Sequence, residues 1–453
     1  TVYISQSSKV GELNLNDQVD FFLSIHAPYG SILSVNGEQN KEYIAAIQHV
    51  RRRETVAMTP ANTFSVLKQL VGKDAKQNIS DVKSNKSSLR TSIKTITNTK
   101  TEALVANCGL STQYAIVMGL IDHAIEDHKG KEIKIVVPPN CYGGTNDQAR
   151  RVAACLDNVE VMDLPVDGGN DMVRSVDKVL DQIAKMDAVP FIIAEIPTNP
   201  RVEVPVLNDL RDVLTKERKT PNGQSAIDPV FILDQTFCPN FHFLGEENIL
   251  ADMRSIAYVS GSKFPSGGKC TAGYLVANEK ANTLMSKIEK HLVLCDNEAT
   301  DLQYEILAER IPSMPQRITD AYKNTREFVN FIEEKLPAAK INFVSEELAS
   351  EGFTPSVFSL DLPTKGDTDL EREIYKRSLN QKLIDMMITQ IPNESKYCVS
   401  YGQLKGCYWT IPATSTQGTT KEADKDYIAR VSLSPDLDLE KHKEVFAQFV
   451  SEI

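Results

Sequence analysis

The chain has 453 residues and a formal net charge of −11, and hydrophobic residues make up 41% of it. This length exceeds what one hydrophobic core usually spans, so we expect more than one domain. The acidic balance argues against nucleic-acid partners and against an anionic-membrane surface. With no secretory pattern at the N-terminus and no apolar run long enough for a membrane span, the sequence predicts a cytoplasmic protein.

The cysteines give no sign of a metal site or a disulfide framework. All eight are scattered, with no CxxC pair and no zinc-like spacing to histidine. In a chain of this length we interpret them as reduced thiols, several of them in the core. We therefore expect no metal.

The first hundred residues carry few sustained apolar patterns. Residues 72–100 are rich in Lys, Ser, Thr and Asn, which predicts an exposed or mobile connection. His26 could reach the site from the N-terminal arm, but a single histidine is more often structural. The run Arg51–Arg53 is more consistent with a solvated face or a salt-bridge partner. We expect residues 1–100 to form an N-terminal segment with an atypical insertion.

From residue 101 onward, short β-branched runs alternate with helical patterns. Strands without polar alternation, separated by amphipathic helices, indicate an α/β fold with a large, mostly parallel sheet covered on both faces. We expect this domain to span residues 101–325, with its ligand at the carboxyl ends of the strands. The predicted strands are 102–107, 133–139, 158–164, 190–197, 229–234, 256–262 and 272–278, and the predicted helices are 111–128, 148–156, 172–186 and 206–217.

After about residue 325 the strands become fewer and interleave with helices. A long helix over 318–336 leads to strands at 341–345, 356–362 and 427–434, with a helix near 370–388 and another at the end. This pattern predicts a smaller C-terminal α+β domain over residues 326–453. The single tryptophan, Trp409, is interpreted as core or interface packing.

Several predicted strands end in residues that can carry chemistry. Glu195 ends one strand, Asp234 ends another, and Lys263 follows a third in the sequence "YVSGSK". A carboxylate at a strand end is often only a helix cap, so each residue alone is a weak signal. Because the ends of parallel strands share one edge of a sheet, their combination favours a functional site.

The glycine-rich run after Lys263 does not match a P-loop. A P-loop requires a glycine five positions before its Gly-Lys pair, and Lys263 stands there relative to Gly268 and Lys269. Cys270 also replaces the Ser or Thr that would contact a metal ion. We therefore do not predict a nucleotide-binding loop.

A lysine that forms a Schiff base fits the surroundings of Lys263 better. Such a lysine needs a lowered pKa and a carbonyl partner such as pyridoxal phosphate. That cofactor needs phosphate donors, a carboxylate on its ring nitrogen, a stacking group and a clamp for the substrate carboxylate. The candidates are the turn and helix start at 107–112 and the hydroxyls of Ser260 and Ser262 for phosphate, Asp234 for the ring nitrogen, Tyr142 for stacking and Arg430 for the substrate.

The short sequence motifs over roughly residues 101–453 resemble those of the cysteine/methionine-metabolism family of pyridoxal-phosphate enzymes. This family has fold type I and includes cystathionine synthases and lyases and methionine γ-lyase. The similar motifs are Cys108-Gly109-Leu110, "YGGT" at 142–145, "EIPTNP" at 195–200, "DQT" at 234–236, "SGSK" at 260–263, "SYG" at 400–402 and "RVS" at 430–432. Their order along the chain is the family's order.

The resemblance implies a role for each matched residue. Lys263 would bind the cofactor as a Schiff base and act with Tyr142 in acid–base catalysis. Ser400 and Arg430 would hold the substrate carboxylate. The cofactor would be held by Cys108, Gly109, Leu110, Tyr142, Glu195, Asn199, Asp234, Thr236, Ser260, Ser262 and Lys263.

The implied reaction is elimination or replacement at Cγ, or Cβ, of a sulfur-containing or O-activated amino acid. The implied assembly is a homodimer or homotetramer with active sites at the dimer interface. Two alternatives remain: another fold-type-I reaction, such as transamination or decarboxylation, and a protein that binds the cofactor without catalysis.

The chain also departs from the family pattern. A Tyr-x-Arg motif that reaches the neighbouring subunit's phosphate has no counterpart, since none of Arg51–Arg53 has a tyrosine two positions before it. Gly144 stands where methionine γ-lyases carry cysteine. Tyr401 follows Ser400, at a position where the family's β-lyases tend to have tryptophan and its γ-enzymes a smaller residue. Tyrosine there discriminates poorly between β- and γ-chemistry.

Overall fold

The computed structural model describes residues 1–6, 19–53, 58, 60–74, 81–166, 170–398, 404–412 and 427–453. In these ranges the strands are β1 (Val2–Ser5), β2 (Phe21–His26), β3 (Gly30–Val35), β4 (Leu104–Ala106), β5 (Ile133–Val137), β6 (Val159–Asp163), β7 (Val189–Glu195), β8 (Val230–Asp234), β9 (Arg254–Ser260), β10 (Gly273–Ala277), β11 (Lys340–Asn342), β12 (Val357–Asp361), β13 (Ser395–Tyr397), β14 (Gly406–Pro412) and β15 (Tyr427–Ser432).

The helices in the same ranges surround these strands. They are α1 (Glu42–Arg53), α2 (Pro60–Leu70), α3 (Val82–Thr97), α4 (Gly109–Asp127), α5 (Gly143–Ala154), α6 (Asp171–Met186), α7 (Leu207–Thr215), α8 (Met285–Leu294), α9 (Asp301–Arg310), α10 (Met314–Lys335), α11 (Glu346–Ser350), α12 (Asp369–Gln390) and α13 (Leu439–Ser451). Short 3-10 turns precede α1, α8 and α10.

The central sheet has seven strands in the order β4-β10-β9-β8-β7-β5-β6. Neighbours from β9 across to β6 pair in parallel, and β10 runs antiparallel to both β9 and β4. Every residue of β5 and β7 is buried, as expected of strands covered on both faces. The predicted α/β fold class with a large, mostly parallel sheet is confirmed.

Helices cover the two faces of this sheet and create two separate core layers. On one face α4, α5 and α8 pack on the strands through residues such as Ile116, Leu120 and Ile288. On the other face α3, α6, α7 and α9 pack through residues such as Leu89, Val176 and Leu307. Alternate residues of each strand therefore face different helices, which determines the side chains that meet at the strand ends.

The C-terminal sheet has five strands in the order β11-β12-β15-β14-β13. Helices α10, α12 and α13 cover it through a core that includes Phe328, Leu383 and Phe446. The predicted smaller α+β domain is thus present. Strands β13 and β14 were not predicted. Strand β14 carries Trp409, whose ring centroid lies 4.4 Å from the ring centroid of Tyr397.

Part of the polar stretch 72–100 is a helix that packs against α9, so its prediction as an exposed or mobile connection is wrong for residues 82–97. Leu89 and Ile93 of α3 are buried, and the Asp81 side chain accepts a hydrogen bond from Ser84 N–H at the start of the helix. The lysines and serines of α3 occupy its exposed face and outnumber the few apolar residues of the buried stripe. Composition therefore concealed the amphipathic pattern.

The N-terminal residues add a three-stranded sheet, β1-β2-β3, that the sequence did not predict. His26 at the end of β2 is buried, and its Nε2 lies 3.0 Å from Ser24 Oγ. The side chains of Arg51–Arg53 lie outside the described residues. The domain boundaries at residues 100 and 325 stay predictions.

The described ranges show neither a membrane-spanning helix nor a metal site. None of their helices combines the length and the apolar character that a bilayer span requires. The same ranges contain no group of three or more His, Cys, Asp or Glu side chains arranged to hold a metal ion.

Candidate active site

A cavity of about 230 Å³ lies at the carboxyl ends of β7, β8 and β9. Parallel sheets bind ligands at this edge because the covering helices begin and end there. The large sheet provides most of the cavity wall, and Arg430 of β15 in the small sheet closes it. Residues of both sheets therefore form the cavity wall.

All predicted site residues in the described ranges line this single cavity. They are Cys108, Gly109, Leu110, Tyr142, Glu195, Asn199, Asp234, Thr236, Ser260, Ser262, Lys263 and Arg430. Ser400, together with Tyr401, lies outside the described residues. The shared location supports one site, while the role of each residue stays a prediction.

Lys263 follows β9 in a turn, and its Nζ donates to Ser262 Oγ over 3.3 Å. Burial, together with the nearby Arg430 guanidinium, lowers the pKa of Lys263 from an ordinary value of 10.5 to about 8. A lysine with this pKa is partly neutral near physiological pH. A neutral amine can act as a nucleophile or as a base.

Asp234 ends β8 and projects into the same cavity. Burial raises the pKa of this carboxyl, and hydrogen bonds from Thr236 and Tyr258 act in the opposite direction. The Thr236 N–H donates to Asp234 Oδ1 over 2.9 Å. These donors favour the ionised carboxylate in a site that otherwise disfavours charge.

Glu195 lies beside Asp234, because the two residues are register partners on β7 and β8. Burial, together with the Asp234 carboxylate, raises the pKa of Glu195 well above its ordinary value. Tyr142 N–H donates to Glu195 Oε1 over 2.8 Å. The buried Oε2 has no hydrogen-bond partner among the described residues. Such an atom is suited to a polar ligand group that the protein itself does not supply.

The start of α4 forms part of the cavity wall through Cys108, Gly109 and Leu110. Cys108 caps this helix and Gly109 is its first residue. A Cβ added at Gly109 would lie only 3.0 Å from Ser260 Cβ, so a residue without a side chain lets the helix start approach β9 closely. The hydroxyls of Ser260 and Ser262 lie 2.9 Å apart at this place. A helix N-terminus beside hydroxyl donors is an anion-binding arrangement.

Arg430 is buried on β15, opposite Ser359 of β12 and Trp409 of β14. Its Nη1 donates to Asn199 Oδ1 over 3.3 Å. One residue further along, Pro200 O accepts a hydrogen bond of 2.6 Å from Ser359 Oγ. The loop that carries Asn199 is thus tied to the small sheet at two adjacent residues.

The sequence missed several lining residues, of which Gln113, Thr145 and Tyr258 are polar. Periodicity could have identified two of them. Gln113 stands four residues after Gly109 on the first turns of α4, and Tyr258 stands two residues before Ser260, so each projects in the direction of a predicted site residue. Thr145 belongs to the matched "YGGT" motif but was not selected.

Comparison with known proteins gives matches in structure only. No protein-family model matches the chain, and no curated protein matches it.

Three solved structures share the fold over most of the chain. Cystathionine γ-lyase from Lactobacillus plantarum, complexed with L-serine, is 16% identical, with a TM-score of 0.59 over 81% of this chain and 87% of that one. Cystathionine γ-lyase from yeast is 16% identical, with a TM-score of 0.62 over 81% and 85%. CalE6, a methionine γ-lyase from Micromonospora echinospora, is 15% identical, with a TM-score of 0.56 over 81% and 86%. The fold expected from the family resemblance is therefore confirmed.

Proposed function

We propose that the protein is a pyridoxal-phosphate-dependent enzyme that eliminates or replaces a substituent at Cγ, or at Cβ, of a sulfur-containing or O-activated amino acid. The observation that carries the proposal is the meeting of Lys263, Asp234 and the start of α4 in one cavity. The fold shared with two cystathionine γ-lyases and a methionine γ-lyase supports the same reaction class.

The residues of the cavity fit the cofactor from end to end. The first N–H groups of α4 and the hydroxyls of Ser260 and Ser262 would hold its phosphate. Asp234 would hold the proton of its ring nitrogen, and Lys263 would bind its aldehyde carbon. When bound, pyridoxal phosphate supplies the electron sink that stabilises negative charge on the substrate's Cα.

Three side chains would act on the substrate. Arg430 would bind the α-carboxylate, and its burial makes that ion pair strong. Lys263 Nζ can accept the α-proton because its lowered pKa leaves part of the amine neutral. For γ-chemistry a second proton must leave Cβ, and Lys263 and Tyr142 are the acid–base pair we assign to it. Ser400 would assist Arg430.

The resemblance also supports a cytoplasmic homodimer or homotetramer with active sites between subunits. The start of α4 would then be one part of the phosphate site, and the neighbouring subunit the other.

The experiment is an amino-acid panel with purified protein and pyridoxal phosphate. The panel contains cystathionine, methionine, homocysteine, cysteine and O-acylated homoserines, and thiol, ammonia and keto acid are followed together. We expect release of thiol or ammonia, or incorporation of an added thiol. Keto acid without ammonia or thiol would indicate transamination. Cofactor absorbance without turnover would indicate a non-catalytic binder, and either result overturns the proposed reaction.

Lys263→Ala tests the role of Lys263 in binding the cofactor. It should lose the visible absorbance of the bound cofactor, and turnover should fall by at least about a thousandfold. An Ala variant that keeps the absorbance would remove Lys263 from its assigned role. Lys269→Ala, six residues away and exposed in the same loop, is the control that should keep both.

A further inference from the structure

Two buried glutamines join the starts of helices α4 and α5. Gln113 Nε2, on α4, donates to the main-chain oxygen of Thr145 on α5 over 3.0 Å. Gln148 Nε2, on α5, donates to the main-chain oxygen of Leu110 on α4 over 3.1 Å. Each helix thus supplies one donor and one acceptor to the other, and we call these two hydrogen bonds the glutamine brace.

The glutamine brace depends on an equal spacing of donor and acceptor in the two helices. In α4 the acceptor Leu110 and the donor Gln113 stand three residues apart, and so do Thr145 and Gln148 in α5. Residues three apart share one face of a helix, so each helix presents its donor and its acceptor together. A main-chain carbonyl has two lone pairs and can accept a side-chain donor in addition to its helical hydrogen bond.

Burial makes the two amides selective for one arrangement of the helices. Gln113 and Gln148 are 0% and 1% exposed, and a buried amide without a partner is costly. Because a carbonyl can only accept, the amide nitrogen of each glutamine must face its acceptor. The amide oxygen of Gln113 in turn accepts from the Tyr258 hydroxyl over 3.5 Å. Buried polar groups that are satisfied in this way favour a single packing of the elements that carry them.

The residues of the glutamine brace lie on the wall of the cavity. Leu110 and Gln113 line it from α4, and Thr145 lines it from α5. Tyr142, which also lines the cavity, immediately precedes α5. A change in the spacing of the two helix starts would therefore change the distance from the start of α4 to Tyr142.

We propose that Gln113 and Gln148 are positioning residues that hold the start of α4, the anion-binding end of the cavity, at a fixed distance from Tyr142. The glutamine brace itself needs no ligand. Its value for binding pyridoxal phosphate rests on the proposed function. In that molecule one methylene and one oxygen join the phosphate to the ring, so groups that hold both must keep a constant spacing.

The first measurement uses the protein without cofactor. Gln113→Met and Gln148→Met each remove one donor while the side-chain volume stays nearly constant. Since each donor binds the opposite helix, we expect either variant to speed amide exchange about tenfold in the first two turns of both α4 and α5. Hydrogen–deuterium exchange with mass spectrometry measures this. Faster exchange in the substituted helix alone, or in neither helix, overturns the proposal.

Asn380→Leu is the matched control for the loss of a buried amide. Asn380 is fully buried, and its Nδ2 donates to Tyr427 O over 3.2 Å, which joins α12 to β15 in the small sheet. This variant should unfold at a lower temperature and leave exchange in α4 and α5 unchanged. If it speeds exchange there as much as the glutamine variants do, their effect is a general loosening and the proposal fails.

The second measurement is a titration with pyridoxal phosphate, followed by visible absorbance. We expect each glutamine variant to bind it about tenfold more weakly, and visible circular dichroism at saturation, which reports the orientation of the bound ring, to decrease. Because one glutamine alone does not fix the spacing, the double variant should bind about twentyfold more weakly rather than a hundredfold. Fully multiplicative effects would show that the two residues act separately, which contradicts the proposal.

The two measurements together separate this inference from the proposed function. If the wild type binds no cofactor while each glutamine variant still speeds exchange in both helices, the proposed function fails and the glutamine brace stands. If the wild type binds the cofactor and the variants change neither exchange nor affinity, the glutamine brace fails alone.

Discussion

At the scale of single residues, the cavity concentrates groups whose charged forms are costly to bury. Lys263 and Arg430 are both cations, and Asp234 and Glu195 are adjacent carboxyls. Burial shifts the pKa of Lys263 down and that of Glu195 up, so each moves toward its neutral form. Such clusters of groups with shifted pKa values are typical of active sites.

The pKa of Lys263 predicts how stability depends on pH. Its folded value of about 8 lies below its ordinary value of 10.5, so folding penalises the charged amine below pH 8. Between pH 8 and 10.5 the unfolded chain holds this proton and the folded chain does not, and the contribution of Lys263 to stability improves as pH rises. We expect Lys263→Met to raise the free energy of unfolding of the cofactor-free protein at pH 7 by up to about 3 kcal/mol.

This gain should shrink between pH 8 and 10.5, which denaturant unfolding at several pH values would show. Lys340→Met, at an exposed position on β11, is the control and should show no such trend. A Lys263→Met variant with the same difference from wild type at every pH would mean that the lysine is not strained in the folded state.

The sequence identified most site residues because they stand at strand ends or in short motifs. Lys263, Asp234 and Glu195 follow apolar runs, and that position alone places them at one edge of a parallel sheet. Tyr258 and Gln113 were missed because they lie inside a strand and a helix, where an aromatic or amide side chain is ordinarily part of the core. Only the pairing of β8 with β9 shows that Tyr258 faces Asp234.

At the scale of elements, helix α4 begins at the cavity and packs into the core with its later turns. Its first residue, Gly109, touches Ser260, whereas Gly119 further along packs on the backbone of Ile288 in α8. The same helix thus has one glycine for the site and another for packing. Replacing each by alanine separates the two functions.

We expect Gly109→Ala to weaken pyridoxal-phosphate binding about tenfold, because the new Cβ, 3.0 Å from Ser260 Cβ, forces the helix start away from the hydroxyls. Its free energy of unfolding without cofactor should change by less than about 1 kcal/mol. Absorbance titration and denaturant unfolding measure these quantities.

Gly119→Ala should give the opposite pattern. Its Cβ would lie 2.8 Å from Ile288 Cα, so stability should fall by about 1–3 kcal/mol while the affinity of the folded molecules is kept. If Gly109→Ala loses stability but binds the cofactor normally, the start of α4 is not part of the phosphate site.

Elements were predicted where the hydrophobic pattern was strong and local. Strands β5, β7 and β8 are apolar runs, and α4 and α6 repeat apolar residues at helical spacing. Helix α3 was not predicted because lysine and serine dominate its composition, although Leu89 and Ile93 form a buried stripe. Strand β13 spans only Ser395–Tyr397, which is too short for a periodic signal.

At the scale of the whole molecule, the site is divided between two sheets that are distant in sequence. The cofactor-binding candidates all come from residues 108–263, whereas Arg430 comes from β15 of the small sheet. Cofactor binding and substrate binding should therefore respond to different mutations. Topology of this kind is not evident from local patterns, and the sequence suggested it only through the family resemblance.

We expect Arg430→Ala to raise KM for the best amino-acid substrate at least tenfold, because a buried ion pair with the α-carboxylate is lost. The affinity for pyridoxal phosphate should change much less. Steady-state kinetics and cofactor titration measure the two effects. Arg372→Ala, half-exposed on α12 over the same small sheet, is the control. An unchanged KM in Arg430→Ala would remove its role as the substrate clamp.

The two bonds from the small sheet to the loop after β7 have a mechanical consequence. Ser359 donates a hydrogen bond to the carbonyl of Pro200, and Arg430 donates one to the side chain of Asn199. Strands β12 and β15 are thus each bonded to one of two adjacent residues of the same loop. A displacement of the small sheet would therefore be transmitted directly to Asn199. A ligand that moved Arg430 would also move Asn199, on the part of the cavity wall that belongs to the large sheet.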